Sequence, residues 1–369
     1  MAGKNSDRLS GVQVTALVAL IIVGSGLMKL PRDVVQASDA NGIMVTLIAG
    51  LMAVVLTVVM SMLSKRFPNR TVLDYSKDLL GTIPAKIVNI VFVVYFITFS
   101  GLILRIFADA AKVFLLENTP IEILILAMLP VVVYLVQNGI NPIARICEAF
   151  FPVVVGSILL LLLLSLQNFD IKEVYPVWQV NIVKVVKAVP VTEIAYFGFE
   201  ILLFAGAFML EPQKMTKYSV GGVVTAIVIY VATVTACIGV FSIDTLKYQV
   251  YPTLELAKSI DFPGAFAERF DIFFAIFWTI AVFTSIVTYY YLAAFSVTKL
   301  IGMRNYRPFC YLLLPGIYVI ALLPQNVYQV RLLAQWIIYL GTAAAAVIPG
   351  LLFAAAILRG KGGKNIGKA

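Results

Sequence analysis

The chain has 369 residues, 61% of them apolar and 13% charged, with a mean hydropathy of +0.98. Soluble domains run about 45–50% apolar and about 25% charged, so this composition excludes a soluble enzyme, a disordered chain and a free nucleic-acid-binding module. The 28 Lys and Arg against 19 Asp and Glu leave a net charge of +9, which basic loops beside a membrane account for without a nucleic-acid partner.

Reading in chain order, about ten largely apolar stretches are long enough to be spanning helices: 11–30, 42–64, 84–116, 120–137, 142–166, 190–210, 219–241, 271–298, 309–324 and 331–358. A spanning helix needs roughly 20 such residues. The first stretch follows Lys4 and Arg8 but is too long for a secretory signal and has no small-residue cleavage site. The pattern predicts an all-α integral membrane protein forming one membrane domain over 1–369. Its first half is 11–166, its second half 190–358, and 359–369 is a basic tail. Lys65, Arg66, Arg70, Lys77, Arg145, Lys214, Lys217, Lys299, Arg304 and Arg307 fall on one side, with Lys4, Arg8, Arg359, Lys361, Lys364 and Lys368 at the ends. The opposite loops are more acidic, which predicts both termini in the cytoplasm. The loop from Ser242 to Phe270 carries Tyr251-Pro252-Thr253-Leu254. It reads either as a short helix on the membrane surface or over the bundle, or as a solvated connector.

Two spans are interrupted. Gly24-Ser25-Gly26 lies inside the first, ahead of Leu30-Pro31, and Tyr196-Phe197-Gly198-Phe199-Glu200 places a glycine and a carboxylate inside the sixth. Interrupted backbone at membrane depth is tolerated where it is buried in protein or lines a cavity. Broken segments at matching places in two five-helix halves point to a transporter-type binding site, with freed amides for an anionic group and freed carbonyls for a cation. Taken alone, Gly24 and Gly26 also suit close helix packing. Glu200, ionisable at depth, is expected to face the protein interior.

In the third span Arg105 and Asp109 are four apart and share a face with Lys112 nearby, so they pair for stability or serve function. Tyr95 and Phe99, also four apart, wall a cavity or belong to the core. The eighth span carries Thr284, Ser285 and Thr288 before Tyr289-Tyr290-Tyr291. Their hydroxyls either coordinate a cation or bond back to their own helix. Cys147, Cys237 and Cys310 are isolated and the chain has no His. Zinc triads, Ser-His catalysis and imidazole relays are therefore ruled out. The sequence holds no phosphate loop, nucleophile elbow or other catalytic constellation, and no cofactor or metal motif. The expectation is a non-enzyme.

Several stretches carry a family likeness: Val23-Gly24-Ser25-Gly26-Leu27 with Leu30-Pro31-Arg32; Arg105, Asp109 and Lys112 leading into Phe114-Leu115-Leu116-Glu117-Asn118-Thr119-Pro120-Ile121; Phe197-Gly198-Phe199-Glu200; Tyr251-Pro252-Thr253; and Glu268-Arg269-Phe270-Asp271. Over nearly its full length the chain resembles the B subunit of bacterial spore germinant receptors, the endospore germination permease family. That family is a distant branch of the amino acid–polyamine–organocation transporter superfamily. The resemblance implies a LeuT-like five-plus-five inverted repeat with broken helices 1 and 6 and a mid-membrane pocket between helices one, three, six and eight. Carried onto this sequence, the ligand-binding positions are Gly24, Ser25, Gly26, Tyr95, Phe99, Phe197, Gly198, Thr284 and Ser285. Arg105, Asp109 and Glu200 take structural or signalling roles. It implies a small germinant as ligand (an amino acid, sugar or nucleoside), a receptor A subunit and a lipoprotein C subunit as partners, and the spore inner membrane of an endospore-forming bacterium as location. A proton- or ion-coupled amino acid transporter is the alternative that the same breaks support.

Overall fold

The computed structural model describes residues 8–175, 181–260 and 270–362. Within them the backbone is helical throughout, apart from turns and an isolated bridge between Leu9 and Met209. The elements in order are α1 (Gly11–Gly26), α2 (Leu30–Ser38), α3 (Gly42–Arg66), α4 (Val72–Leu80), α5 (Thr82–Phe114), α6 (Ile121–Val136), α7 (Ile140–Ser165) and α8 (Ile171–Val174). They continue with α9 (Ile182–Tyr196), α10 (Leu202–Ala205), α11 (Met215–Leu246), α12 (Pro252–Lys258), α13 (Phe270–Ile301), α14 (Arg307–Leu322), α15 (Val327–Thr342) and α16 (Ile348–Leu358).

Each of the ten apolar stretches falls on one of these helices or helix pairs. Among the described residues, six helical segments are long and apolar enough to cross a bilayer, and α9 with the turn Phe199–Phe208 adds a seventh, bent by 58°. The others are α1, α6 and α14, shorter apolar helices of 16 residues each. The surface fits lipid as its solvent. Leu163, Trp336 and Leu358 are 65%, 71% and 86% exposed. In water such a surface would aggregate; in a bilayer it meets tails of its own polarity. Of the residues named above, Lys4, Lys364 and Lys368, used for orientation, and Glu268 and Arg269, in the family likeness, lie outside the described segments.

The centre of the bundle follows from composition. α1 is apolar on every face, as a fully enclosed helix requires, and it packs against α7, α9, α11 and α13. Its start is fixed by a capping box, with Ser10 and Gln13 each accepting a backbone amide of the other. α5 lies against α13, α14 and α15, while α3 lies against α9 and α11. Close approach is possible where side chains are absent. A Cβ on Gly222 of α11 would stand 2.7 Å from the Thr15 carbonyl, and one on Gly24 of α1 would stand 2.2 Å from the Ala281 carbonyl of α13.

The long loop after α11 contains the predicted short helix, α12, and it is not a solvated connector. Pro252, Thr253, Leu254, Leu256 and Ala257 are buried, so α12 lids the bundle. One cross-link at the core is the Tyr230 hydroxyl of α11, which lies within hydrogen-bond distance of the Ile22 carbonyl of α1 and, at 2.9 Å, of the Ala195 carbonyl of α9. Removing it leaves two buried carbonyls without that donor. Tyr230→Phe is expected to lower stability by about 1–3 kcal/mol, read as a lower thermal unfolding midpoint of the purified protein in detergent.

Candidate functional site

The first and sixth spans are both interrupted, in different ways. In the first, Gly24, Ser25 and Gly26 stay helical and the break falls at residues 27–29, before α2 starts. This corrects the expectation that the glycine run itself unwinds. The glycines answer the packing requirement instead. A Cβ on Gly24 would lie 2.4 Å from Ser285 Oγ, and one on Gly26 would lie 2.3 Å from the Tyr230 hydroxyl. Ends of both half-helices remain at the break. On the carbonyl side Thr253 of the lid donates to the Leu27 carbonyl at 2.7 Å. Lys29 stands 5.5 Å above the Tyr251 ring of the same lid.

The sixth span breaks where it is expected. Gly198 has φ +137°, a backbone state that side-chain-bearing residues rarely adopt, and a Cβ there would sit 2.8 Å from Ile21 Cγ2. Glu200, fully buried, turns back into the break. One of its oxygens accepts the Gly198 amide at 2.7 Å. The other accepts the hydroxyls of Tyr95 at 2.6 Å and Tyr289 at 2.9 Å. Three donors from three elements thus hold one carboxylate, the arrangement that a buried charge requires.

Around this carboxylate stands an aromatic cluster. The Phe99 ring lies 4.6 Å from Tyr289, 5.6 Å from Tyr95 and 6.1 Å from Phe197 between ring centroids. Phe197 packs over Gly341 of α15, where a Cβ would fall 2.1 Å from the ring. The Ser25 hydroxyl donates to the Ile22 carbonyl at 3.0 Å and stands 3.5 Å from that of Phe197, so the last turn of α1 meets the sixth-span break.

Between the breaks lies a cavity of about 90 Å³. Ser25, Gly26 and Phe99 are the sequence-predicted residues that line it. Tyr95, Phe197 and Gly198 belong to the buried cluster beneath it. Gly24, Thr284 and Ser285 sit instead in the helix packing around α13. Ser285 donates to the Ile21 carbonyl at 3.0 Å or the Ala281 carbonyl at 3.1 Å. Thr284 and Thr288 donate to the carbonyls of Ala281 and Thr284, each at 2.7 Å. These are the self-bonding contacts of buried helix hydroxyls. Arg105 and Asp109 pair at 2.9 Å, and Arg105 also donates to the Ala321 carbonyl at 3.3 Å, joining α5 to α14. Among the described residues no group of three Cys, Asp or Glu side chains gathers as metal ligands.

The remaining wall was not singled out from sequence. It includes Lys29 and Asp33 beside the expected Arg32, Ile106 of α5, and Val327, Val330, Arg331 and Ala334 of α15. Arg331 stood at the edge of a predicted span, where a cation is ordinary, and nothing local marks it as facing a cavity 300 residues away in sequence from Lys29. Tyr289 likewise sat in a Tyr triplet with no sign of which ring meets Glu200.

A family described as spore germination protein matches residues 8–330. Spore germination protein YndE of Bacillus subtilis (strain 168) is 28% identical over 361 residues, covering 97% of this chain and 99% of that one. Spore germination protein A2 of the same organism is 25% identical over 347 residues, covering 94% of each. Among solved structures, MhsT in complex with L-phenylalanine superposes with a TM-score of 0.71 at 12% identity, covering 95% of this chain and 89% of that one. That likeness shows the fold, which is LeuT-like.

The Glu200 cluster predicts an order among variants. Glu200→Leu strands three donors at about 1–3 kcal/mol each. Glu200→Gln keeps the shape and one acceptor, and Tyr289→Phe removes one donor of three. Thermal midpoints are expected to fall in the order Leu lowest, then Gln, then the Tyr289 variant. A Leu variant as stable as Gln would place Glu200 outside this network.

Proposed function

The chain belongs to the spore germination protein family, and from that premise we propose that it is the germinant-binding membrane subunit of a spore germination receptor. It senses a small nutrient in the cavity between its two helix breaks. The observation that carries this reading is the cavity itself. It is enclosed by α1, α2, α5, α9 and α15 and floored by Ser25, Gly26 and Phe99, beside the ends of both broken helices. The buried carboxylate and aromatic cluster below it give the sixth-span break a fixed shape, so occupancy above is felt by a bonded network.

In the same reading, 1–369 is one membrane domain of two inverted halves, 11–166 and 190–358, with both termini on the cytoplasmic (spore core) side of the inner membrane. A receptor A subunit and a lipoprotein C subunit assemble with it, and the family and fold are those of permeases rather than enzymes. Glu200 serves the network, and Arg105 with Asp109 ties α5 to α14. Gly24, Thr284 and Ser285 act on the pocket through α1–α13 packing. Gly24, Ser25, Gly26, Tyr95, Phe99, Phe197, Gly198, Thr284 and Ser285 are retained as the ligand-binding set in that sense.

The LeuT-like fold also supports a second reading, a proton- or ion-coupled amino acid transporter. Uptake of labelled amino acids into proteoliposomes by the isolated chain would favour transport over sensing.

Ile106 lines the cavity from α5 without joining the Glu200 network. Ile106→Trp is expected to fill the cavity and weaken germinant response at least tenfold, leaving the ligand-free thermal midpoint close to wild type. Dose–response curves at matched protein level check this. An unchanged half-maximal concentration would remove the cavity from ligand binding.

A further inference from the structure

The cavity carries an electrostatic bias that packing does not require. Three cationic side chains line it, Lys29, Arg32 and Arg331, against one carboxylate, Asp33. Among the described residues Lys29, Arg32, Asp33 and Arg331 form no ion pair. The Arg32 Nε is buried without a hydrogen-bond partner. Arg331 reaches a neutral acceptor, the Gln36 Oε1, at 3.2 Å, and Lys29 rests over an aromatic ring. Lys29 and Arg32 are half-buried and Arg331 is exposed, so three cations converge on one space with Asp33 as the one carboxylate among the lining residues.

The backbone at the break points the same way. On its carbonyl side the Leu27 carbonyl already accepts a hydrogen bond from Thr253 of the lid. A second hollow of about 280 Å³ shares Asp33, Ile194, Arg331 and Ala334 with the cavity and continues past Gln36 and Gln335. Of the charged wall, Arg331 and Asp33 thus stand on the approach as well as at the site.

We propose that this cavity selects small molecules with an uncompensated negative charge, a carboxylate or phosphate not balanced by an ammonium. The proposal rests on the reading of the cavity as the germinant site and names its ligand class. A zwitterion would bring its ammonium among Lys29, Arg32 and Arg331, with Asp33 as the one carboxylate among the lining residues. A neutral sugar or amide gains nothing from the three cations.

The test uses the full chain in nanodiscs of zwitterionic lipid, with lactate, lactamide, L-alanine and inorganic phosphate as probes in calorimetric titrations. Lactate or phosphate is expected to bind at least tenfold more tightly than lactamide and L-alanine, and the arm that wins identifies carboxylate or phosphate. Arg331 is exposed, so Arg331→Gln is expected to fold normally and to reduce anion affinity at least tenfold, with Arg331→Lys retaining most of it. Lactamide or L-alanine binding as tightly as lactate, no binding of either anion, or wild-type anion preference in Arg331→Gln would each overturn charge selection. The two readings fail separately. Neutral probes that bind without charge preference and are blocked by Ile106→Trp keep the pocket and retire the charge selection. Anion binding lost in Arg331→Gln, with germinant response untouched by Ile106→Trp, keeps the anion site and retires the germinant pocket.

Discussion

A carboxylate buried in a membrane protein must be paired or hydrogen-bonded, and much of this molecule's centre is arranged around that demand. Glu200 stands at the break of the sixth span with Tyr95, Tyr289 and the Gly198 amide as donors. Those donors come from α5, from α13 and from the break itself. The carboxylate thus links two long helices to the turn that separates α9 from α10. A broken helix in lipid would otherwise expose amides at several kcal/mol each. Here the side chain that interrupts the apolar run also supplies the acceptor that the interruption needs.

The first-span break is organised differently. Its Leu27 carbonyl is covered by Thr253 of α12, whereas the entrance to α2 lies among Lys29, Arg32 and Arg331. The two sides of the break are therefore unlike in charge. The lid helix α12 participates twice, through Thr253 on the Leu27 carbonyl and through Tyr251 beneath Lys29. Loop, lid and cavity form one unit, and a ligand that engages the cations would also bear on the lid.

The glycines show how one residue type serves two purposes. Gly198 is needed for its φ of +137°; any side chain would strain the turn. Gly24 and Gly26 have ordinary helical geometry and are needed for the space they leave to Ala281, Ser285 and Tyr230. In sequence both look like helix breakers. What separates them is whether a neighbour lies within a methyl group's reach, and that depends on α11 and α13, which are about 200 residues or more further along the chain.

By itself the sequence determined that this is a helical membrane protein, where its apolar segments run, that two of them are interrupted, and that a carboxylate at Glu200 must face inward. Each follows from local composition, because a bilayer leaves a chain few ways to satisfy its backbone. The family likeness was legible for the same reason, since its motifs are short and contiguous. Tertiary structure alone decided which residues share the cavity. Ser25, Gly26 and Phe99 line it; Ser285 and Thr284 turn to carbonyls of α1 and their own helix; Arg331 arrives from α15 to join Lys29 and Arg32. Spacing along one helix tells which side chains share a face, but not which other helix that face meets, and the charge of this cavity is set by that meeting.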